Sequence, residues 1–196
     1  MRRLRCMEML ARLVTDELVV TSVGGNMVEW HAQGDRPQNL YGVFMGGVTP
    51  MALGLALALP RRRVLAFDGD GSLLLNLGAL CSVGELQPPN LKIIVFDNAA
   101  YDSPCGLPTV TAGRTDLAAA ARACGIDDVA TVRDVDAFAS TLRAMFATAA
   151  PSLLVAKVEK GNEDVPVMTV DKTENKYRFV RHIEASEKLT ILPPAY

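Results

Sequence analysis

The sequence has few cysteines, no surplus of positive charge and no hydrophobic run long enough to cross a membrane. Its four cysteines, at positions 6, 81, 105 and 124, form no CxxC pair, so a zinc site, an iron–sulfur cluster and a disulfide framework are not expected. The 20 basic and 22 acidic residues leave no basic excess for nucleic acid. The longest apolar run, at 48–60, is too short for a ~30 Å hydrocarbon layer. We therefore expect reduced thiols in a cytoplasmic protein that binds neither nucleic acid nor membrane.

The N-terminus begins with basic residues, yet it lacks the continuous apolar stretch of a signal peptide. Acidic and basic side chains interrupt it at Glu8, Arg12, Asp16 and Glu17. Apolar residues recur there every three to four positions, at Leu4, Met7, Ala11, Val14 and Leu18. This period predicts a helix with one buried face in place of a targeting segment.

Short apolar runs alternate with helical patterns along most of the chain. Hydrophobic residues occupy consecutive positions, as in strands buried on both faces of a parallel sheet, at 17–22, 63–68, 91–97 and 152–158. Helical patterns lie near 48–59, 73–86, 115–124 and 134–148. The alternation predicts a three-layer α/β/α fold with a mainly parallel, doubly wound sheet.

The chain becomes polar after residue 159, and no clear period returns until about residue 176. We expect an extended arm from about residue 160, followed by a short helix. No internal repeat or linker divides the sequence, and 196 residues suffice for one domain with a sizeable core. Residues 1–196 are therefore predicted to form a single domain.

The stretch VLAFDGDGSLLLN, residues 64–76, places two carboxylates and two glycines at the end of a predicted strand. The glycines permit a tight turn, and Ser72 stands where an N-cap is expected, so a helix N-terminus suited to a phosphate would follow. Asp68 and Asp70 would repel a bare phosphate. A divalent metal between carboxylate and phosphate reconciles the two features.

A second metal ligand is expected at the end of the next strand, where Asp97 and Asn98 follow Asp70 by about one strand–helix–strand crossover. A calcium loop is excluded, because Leu73 and Ala79 stand where it needs glycine and glutamate. A P-loop is excluded because no GK[ST] follows. An ordinary turn without a ligand stays open.

The segments GDGSLLLNLGAL and LKIIVFDN together resemble the cofactor fingerprint of thiamine diphosphate enzymes. The match is nearest to the small subunits and C-terminal domains of the sulfopyruvate and phosphonopyruvate decarboxylase group. The resemblance implies that Mg²⁺ is bound by the side chains of Asp70 and Asn98 and by the carbonyl of Ala100. It also implies that Gly71 and Ser72 face the diphosphate.

The segment YGVFMGGVTP, at 41–50, is similar to the family segment whose methionine wedges beneath the cofactor. The resemblance makes Met45 the wedge and the Val43 carbonyl the partner of the aminopyrimidine, although a methionine before two glycines can also be core filler. The full set of implied cofactor-binding residues is Gly24, Val43, Met45, Gly69, Asp70, Gly71, Ser72, Asn98, Ala100 and Tyr101. For Gly24 a plain loop is the open alternative.

The resemblance implies a 2-oxoacid decarboxylase that uses thiamine diphosphate and Mg²⁺, with no catalytic residue in this chain. The family's activating glutamate lies in a pyrimidine-binding domain for which the sequence has no room, and Glu29 and Glu85 lie on predicted helices away from strand ends. We therefore expect an oligomer in which an alpha-type partner chain supplies that glutamate, and no activity without it. A carboligase of the acetolactate synthase type and a non-catalytic cofactor-binding subunit are the alternatives.

Two departures from the family pattern leave the small 2-oxoacid substrate unidentified. Gly47 stands where close relatives often carry histidine, and DSPCGLPT, at 102–109, replaces a Thr-Gly-Gly-Gln run, with Pro104 and Cys105 at its centre. A sulfonate or phosphonate tail would need a cationic partner. Candidates are Arg114, Lys176 and Arg178, for which a surface role stays open.

Overall fold

The computed structural model describes residues 1–102 and 105–192. It contains a six-stranded parallel sheet, in which runs of consecutive apolar residues form the central strands. The strands are β1 (Leu18–Ser22), β2 (Asn39–Val43), β3 (Val64–Gly69), β4 (Leu91–Asp97), β5 (Ala100–Tyr101), β6 (Leu107–Pro108), β7 (Asp128–Val132) and β8 (Ser152–Lys157). The order in the sheet is β2-β1-β3-β4-β8-β7, and β5 and β6 form a separate antiparallel pair. Because β2 and β3 lie on opposite sides of β1, the chain changes direction between β1 and β3, where open α/β sheets bind ligands.

Helices cover both faces of the sheet, as the three-layer prediction requires. They are α1 (Arg3–Ala11), α2 (Gly25–His31), α3 (Val48–Ala58), α4 (Asp70–Leu74), α5 (Ala79–Leu86), α6 (Leu117–Ala123), α7 (Val135–Ala147) and α8 (Lys172–Glu187). Alternate residues of β3 enter different cores. Ala66 belongs to the core that includes residues of α3, α5, α6 and α8, and Phe67 belongs to the core that includes residues of α1, α2 and α7. The predicted fold class is confirmed. None of the helices in the described ranges is long and apolar enough to cross a bilayer.

Several predicted boundaries are wrong. The helix expected at 73–86 is two helices, with Asn76 donating to the Gly46 carbonyl oxygen (3.0 Å) in the turn between them. Ser72 is not an N-cap, because α4 begins at Asp70 with Gly69 in that position. Val14 and Leu18 lie beyond the end of α1, and Leu18 begins β1.

The C-terminal helix is longer than expected and is part of the core. It begins at Lys172, spans 16 residues and is capped by Asp171, whose side chain accepts from the backbone N–H of Thr173 and Glu174. Asn175, which is fully buried, accepts from the backbone N–H of Tyr41 (2.8 Å) and donates to the carbonyl oxygen of Asn39 (2.8 Å). Helix α8 thus covers the edge strand β2 instead of ending a loose arm.

Candidate functional site

A cavity of about 340 Å³ lies at the carboxyl ends of β1, β3 and β4, at the point where the chain changes direction. Eight of the ten predicted cofactor-binding residues line it: Met45, Gly69, Asp70, Gly71, Ser72, Asn98, Ala100 and Tyr101. Gly24 and Val43 do not line it. The Val43 carbonyl oxygen accepts from the backbone N–H of Val23 (3.1 Å), and Gly24 precedes α2 with φ of 86°.

Asp70 presents a buried carboxylate to this cavity. The Thr109 hydroxyl donates to its Oδ2 (2.5 Å), and the oxygen of the Thr111 hydroxyl lies 3.1 Å from the same atom. Burial raises the pKa of Asp70, and the nearby charge of Asp97 raises it further, against the opposing effect of the threonine hydrogen bonds. No side chain in the described ranges donates to Oδ1. A buried carboxylate at the wall of a cavity suits a divalent cation, which would offset the free-energy cost of burying its charge.

Asn98 is held in one orientation by bonds to both ends of its amide. Its Nδ2 donates to Asp102 Oδ2 (2.7 Å), and its Oδ1 accepts from the backbone N–H of Ala100 (3.0 Å). The same Asp102 oxygen accepts from the backbone N–H of Gly161 (2.6 Å), so the segment after β8 supports this orientation. Ala99, which lies between Asn98 and Ala100, has a φ of 58°. This is a left-handed conformation that few non-glycine residues adopt.

The other two aspartates of these strand ends are committed elsewhere. Asp97 forms an ion pair with Lys157 and accepts from the Thr111 hydroxyl (2.8 Å). Asp68 is fully buried and accepts from the Thr49 hydroxyl (3.1 Å), and burial raises its pKa to about 6. Within the described part of the chain, no cluster of three or more His, Cys, Asp or Glu side chains is placed to hold a metal. A metal here would rely on one carboxylate together with neutral oxygens.

Glycines bring the backbone close to the cavity. A Cβ at Gly71 would lie 2.5 Å from the Tyr101 ring, so any other residue there would require that ring to move. Asn26, which also lines the cavity, donates to the Ser22 hydroxyl (2.9 Å), but its buried Oδ1 has no partner among the described groups. The cavity wall thus includes a residue with one unused hydrogen-bond acceptor.

At position 47, where close relatives often carry histidine, the Phe44 ring leaves little room for a side chain. A Cβ at Gly47 would lie 2.7 Å from the ring of Phe44, so a histidine there would require that ring to move. Phe44 is 69% exposed and precedes Met45, the predicted wedge. Ser72 holds the same loop by accepting from the backbone N–H of Gly46 (3.1 Å). In the other segment that differs from the family pattern, 102–109, Cys105 is exposed. Pro104 lies outside the described residues.

The cavity is not lined by the predicted partners of an anionic tail, Arg114, Lys176 and Arg178, or by the two glutamates that the sequence analysis set aside. Glu29 is buried, and its two oxygens accept from Nε (3.0 Å) and Nη2 (2.7 Å) of Arg3, while Glu85 is exposed on α5. Arg178 is bound by Asp35, and Lys176 lies over the Tyr177 ring. The cation that does line the cavity is Arg3, but Glu29 already neutralises it.

Sequence reasoning missed several residues around the cavity, namely Arg3, Asn26, Asp102, Thr109, Thr111 and Asn162. They come from the first two helices, from loops and from the segment after β8, which the fold brings together from distant positions. A Thr-x-Thr pattern after a loop was the one local signal, and by itself it specifies no chemistry.

Comparisons with known proteins agree with this geometry. The model of the thiamine pyrophosphate enzyme family, C-terminal TPP-binding domain, matches residues 24–156. The sulfopyruvate decarboxylase subunit beta of Methanococcus maripaludis is 33% identical over 183 residues, which is 93% of this chain and 97% of that subunit. The phosphonopyruvate decarboxylase of Streptomyces viridochromogenes is 38% identical over 157 residues, which is 80% of this chain and 39% of that longer protein.

Among solved structures, the thiamine diphosphate-dependent 4-hydroxybenzoylformate decarboxylase of Rhodococcus jostii RHA1 has the same fold. The TM-score is 0.67 at 19% identity, over 83% of this chain and 33% of that one. At this identity the likeness speaks for the fold alone, whereas the family match spans most of the chain. The chain belongs to the thiamine pyrophosphate enzyme family and contains its C-terminal TPP-binding domain.

Proposed function

We propose that this chain is the small, cofactor-binding subunit of a thiamine diphosphate- and Mg²⁺-dependent, non-oxidative 2-oxoacid decarboxylase. The observation that carries the proposal is the meeting of Asp70 and Asn98 at one cavity, beside the Gly69–Gly71 turn, in a chain of this family. Relatives that decarboxylate sulfopyruvate and phosphonopyruvate support a short 2-oxoacid with an anionic tail as the substrate.

In this proposal the metal is held by Asp70 Oδ1, Asn98 Oδ1 and the carbonyl of Ala100. A carbonyl-type oxygen has two lone pairs, so Asn98 Oδ1 can keep its bond from Ala100 N–H and still accept a cation. Thr109 and Thr111 hold the Asp70 carboxylate in place from the opposite side. When bound, thiamine diphosphate supplies the electron sink for cleaving the carboxylate of a 2-oxoacid.

A partner chain completes the site in this proposal. The carboxylate of Glu29 is committed to Arg3, so it is not free to activate a pyrimidine ring. Near the Gly46–Gly47 turn, Phe44 and Leu75 expose 69% and 62% of their surface, as expected of residues that a partner covers. The M. maripaludis relative is itself named a subunit. The partner is proposed to be a pyrimidine-binding, alpha-type subunit that supplies the activating glutamate.

Isothermal calorimetry with Mg²⁺ and thiamine diphosphate tests the metal ligands. We expect Asp70→Ala and Asn98→Ala to lower the affinity for the metal about tenfold or more, without unfolding the protein. Asp128→Ala, at an exposed aspartate on β7, is the matched control and should bind as the wild type does. The chain is measured alone and with its partner bound. Unchanged affinity in Asp70→Ala in both states would contradict the proposal.

A further inference from the structure

Two cysteines that are 43 positions apart in the sequence meet at the surface between α5 and α6, away from the cavity. Cys81 lies on α5 and is exposed, and Cys124 follows the last residue of α6 and is half-buried. Their Sγ atoms are 3.2 Å apart. A disulfide bond is about 2.05 Å long, so side-chain movements of about 1 Å would close the pair.

The backbone around the two thiols is already fixed at close contact. Gly84, one helical turn after Cys81, lies so near the carbonyl group of Cys124 that a Cβ at position 84 would overlap it. Gln87 ties the same junction, because its Nε2 donates to the carbonyl oxygens of Gly84 (2.6 Å) and Gly125 (2.7 Å). The two backbone segments that carry the thiols are therefore held side by side.

We propose that Cys81 and Cys124 are a reversible oxidation site, which forms an intramolecular disulfide in the presence of a low-molecular-weight disulfide such as oxidised glutathione. The first protein thiolate attacks a sulfur of the oxidant and releases one small thiol. The second protein thiolate then attacks the mixed disulfide and releases the other small thiol. Two electrons pass to the oxidant, and the two protons of the protein thiols are balanced by those on the released thiols.

Cys81 is the attacking sulfur. It is the more exposed of the two, and its hydrogen bond with Cys124, together with burial, raises the pKa of the Cys124 thiol. Cys124 is half-buried, so it acts second, as the resolving thiol that attacks the mixed disulfide.

The disulfide would connect the two segments whose side chains meet at Asp70. Helix α5 follows α4, which begins with Asp70, and α6 follows the segment that carries Thr109 and Thr111. A bond between Cys81 and Cys124 closes a long loop, which restricts the unfolded chain and stabilises the folded one. The inference does not depend on the proposed function, because it rests on α5, α6 and their thiols alone.

The test uses the Cys105→Ser variant of the full chain, which removes the other exposed thiol. Cys6 is unreactive in the folded protein, because burial raises its pKa to about 12. After treatment with oxidised glutathione, the intact mass should fall by the mass of two hydrogen atoms. Denatured protein should then show one free thiol instead of three, and peptide mapping should recover the linked Cys81–Cys124 peptides. Dithiothreitol should reverse each change, and the oxidised form should melt several degrees higher.

Adding Cys81→Ser or Cys124→Ser to this background gives the matched controls. Each should show neither the linked peptides nor the rise in melting temperature. Stable glutathione adducts on both cysteines, cross-links between chains, or unchanged thiols after oxidation would each overturn the proposal. Peptide mapping of the Cys105→Ser protein decides the question even if a control variant does not fold.

Discussion

Asp68 and Asp70 are separated by one glycine, yet their carboxylates have different surroundings. Asp68 still belongs to β3 and is buried beside α3, where it accepts from Thr49. Asp70 is the first residue of α4, and the turn at Gly69 directs it to the cavity. The sequence DGDG does not distinguish the two, because the difference depends on the residue at which the strand becomes a helix.

The raised pKa of Asp68 predicts a pH-dependent contribution to stability. Its pKa is about 6 in the folded protein against 3.8 for the ordinary group, so the folded state binds more protons between these values. The free energy of unfolding therefore loses this contribution as the pH rises from about 4 to about 6. Asp68→Asn has no such proton to lose, so its stability relative to wild type should improve over the same range. Urea unfolding in EDTA measures this difference.

The exposed Asp127→Asn variant is the control for that experiment and should follow the wild type at each pH. If the difference in the free energy of unfolding between Asp68→Asn and wild type stays constant from pH 4 to pH 6, the pKa of Asp68 is not raised by burial.

Thr111 is predicted to keep Asp70 and Asp97 in place, because its hydroxyl lies 3.1 Å from an oxygen of the first and 2.8 Å from an oxygen of the second. Thr111→Val keeps the shape but removes the hydroxyl, and we expect the free energy of unfolding to fall by about 1–3 kcal/mol. Under the proposed function the affinity for Mg²⁺ should fall as well. Urea unfolding and calorimetry measure the two effects.

Thr111→Ser is the matched variant, because it restores the hydroxyl and should recover most of both losses. If the valine and serine variants bind Mg²⁺ equally well, Thr111 does not position Asp70 for a metal.

At the scale of whole elements, the central strands were predictable and the edge strands were not. β3 and β4 are apolar at almost every position because both of their faces are covered. β2 and β7 lie at the edges and are partly exposed, so their sequences, NLYGV and DVATV, lack that signal and were missed. The break between α4 and α5 was missed because it depends on Asn76 binding a distant loop.

Asn175 should decide whether α8 stays on the sheet. It is fully buried, and its side chain forms hydrogen bonds with two backbone groups of β2, the N–H of Tyr41 and the carbonyl oxygen of Asn39. Asn175→Ala leaves those groups without partners, so we expect the free energy of unfolding to fall by about 2–4 kcal/mol. Amide hydrogen exchange should accelerate in α8 and β2 before the central strands.

Lys176→Ala, at an exposed position on the same helix, is the control and should leave both exchange and stability close to wild type. Equal exchange in the two variants would show that α8 is held by its apolar contacts, such as that of Phe179, and not by Asn175.

At the scale of the whole molecule, the proximity of Asp70 and Asn98 could be inferred from the sequence, because parallel strands end at the same edge of a sheet. The groups that hold these two side chains in place could not be inferred from it. Asp102 is supported by Gly161, and Thr111 connects α4 with β4, through contacts that only the folded chain creates. Cys81 and Cys124 meet in the same way, although their positions in the sequence suggest no pairing.

The last prediction concerns the division of the active site between two chains. The chain alone, saturated with Mg²⁺ and thiamine diphosphate, should release no CO₂ from sulfopyruvate, phosphonopyruvate or pyruvate, because Glu29 is committed to Arg3. Reconstitution with a pyrimidine-binding chain should give turnover, with a higher kcat/KM for a substrate with an anionic tail than for pyruvate. Coupled assays of CO₂ release measure both quantities.

Each other result of that experiment points to a different function. Sustained turnover by the single chain would remove the need for a partner and direct attention to its own glutamates. Acetolactate as the product of the pair would identify a carboligase. Tight cofactor binding without turnover, in a pair whose partner is active with a different small subunit, would identify a non-catalytic subunit. A preference for pyruvate would exclude the anionic tail, and it would fit a cavity in which the lining residue Arg3 is already neutralised by Glu29.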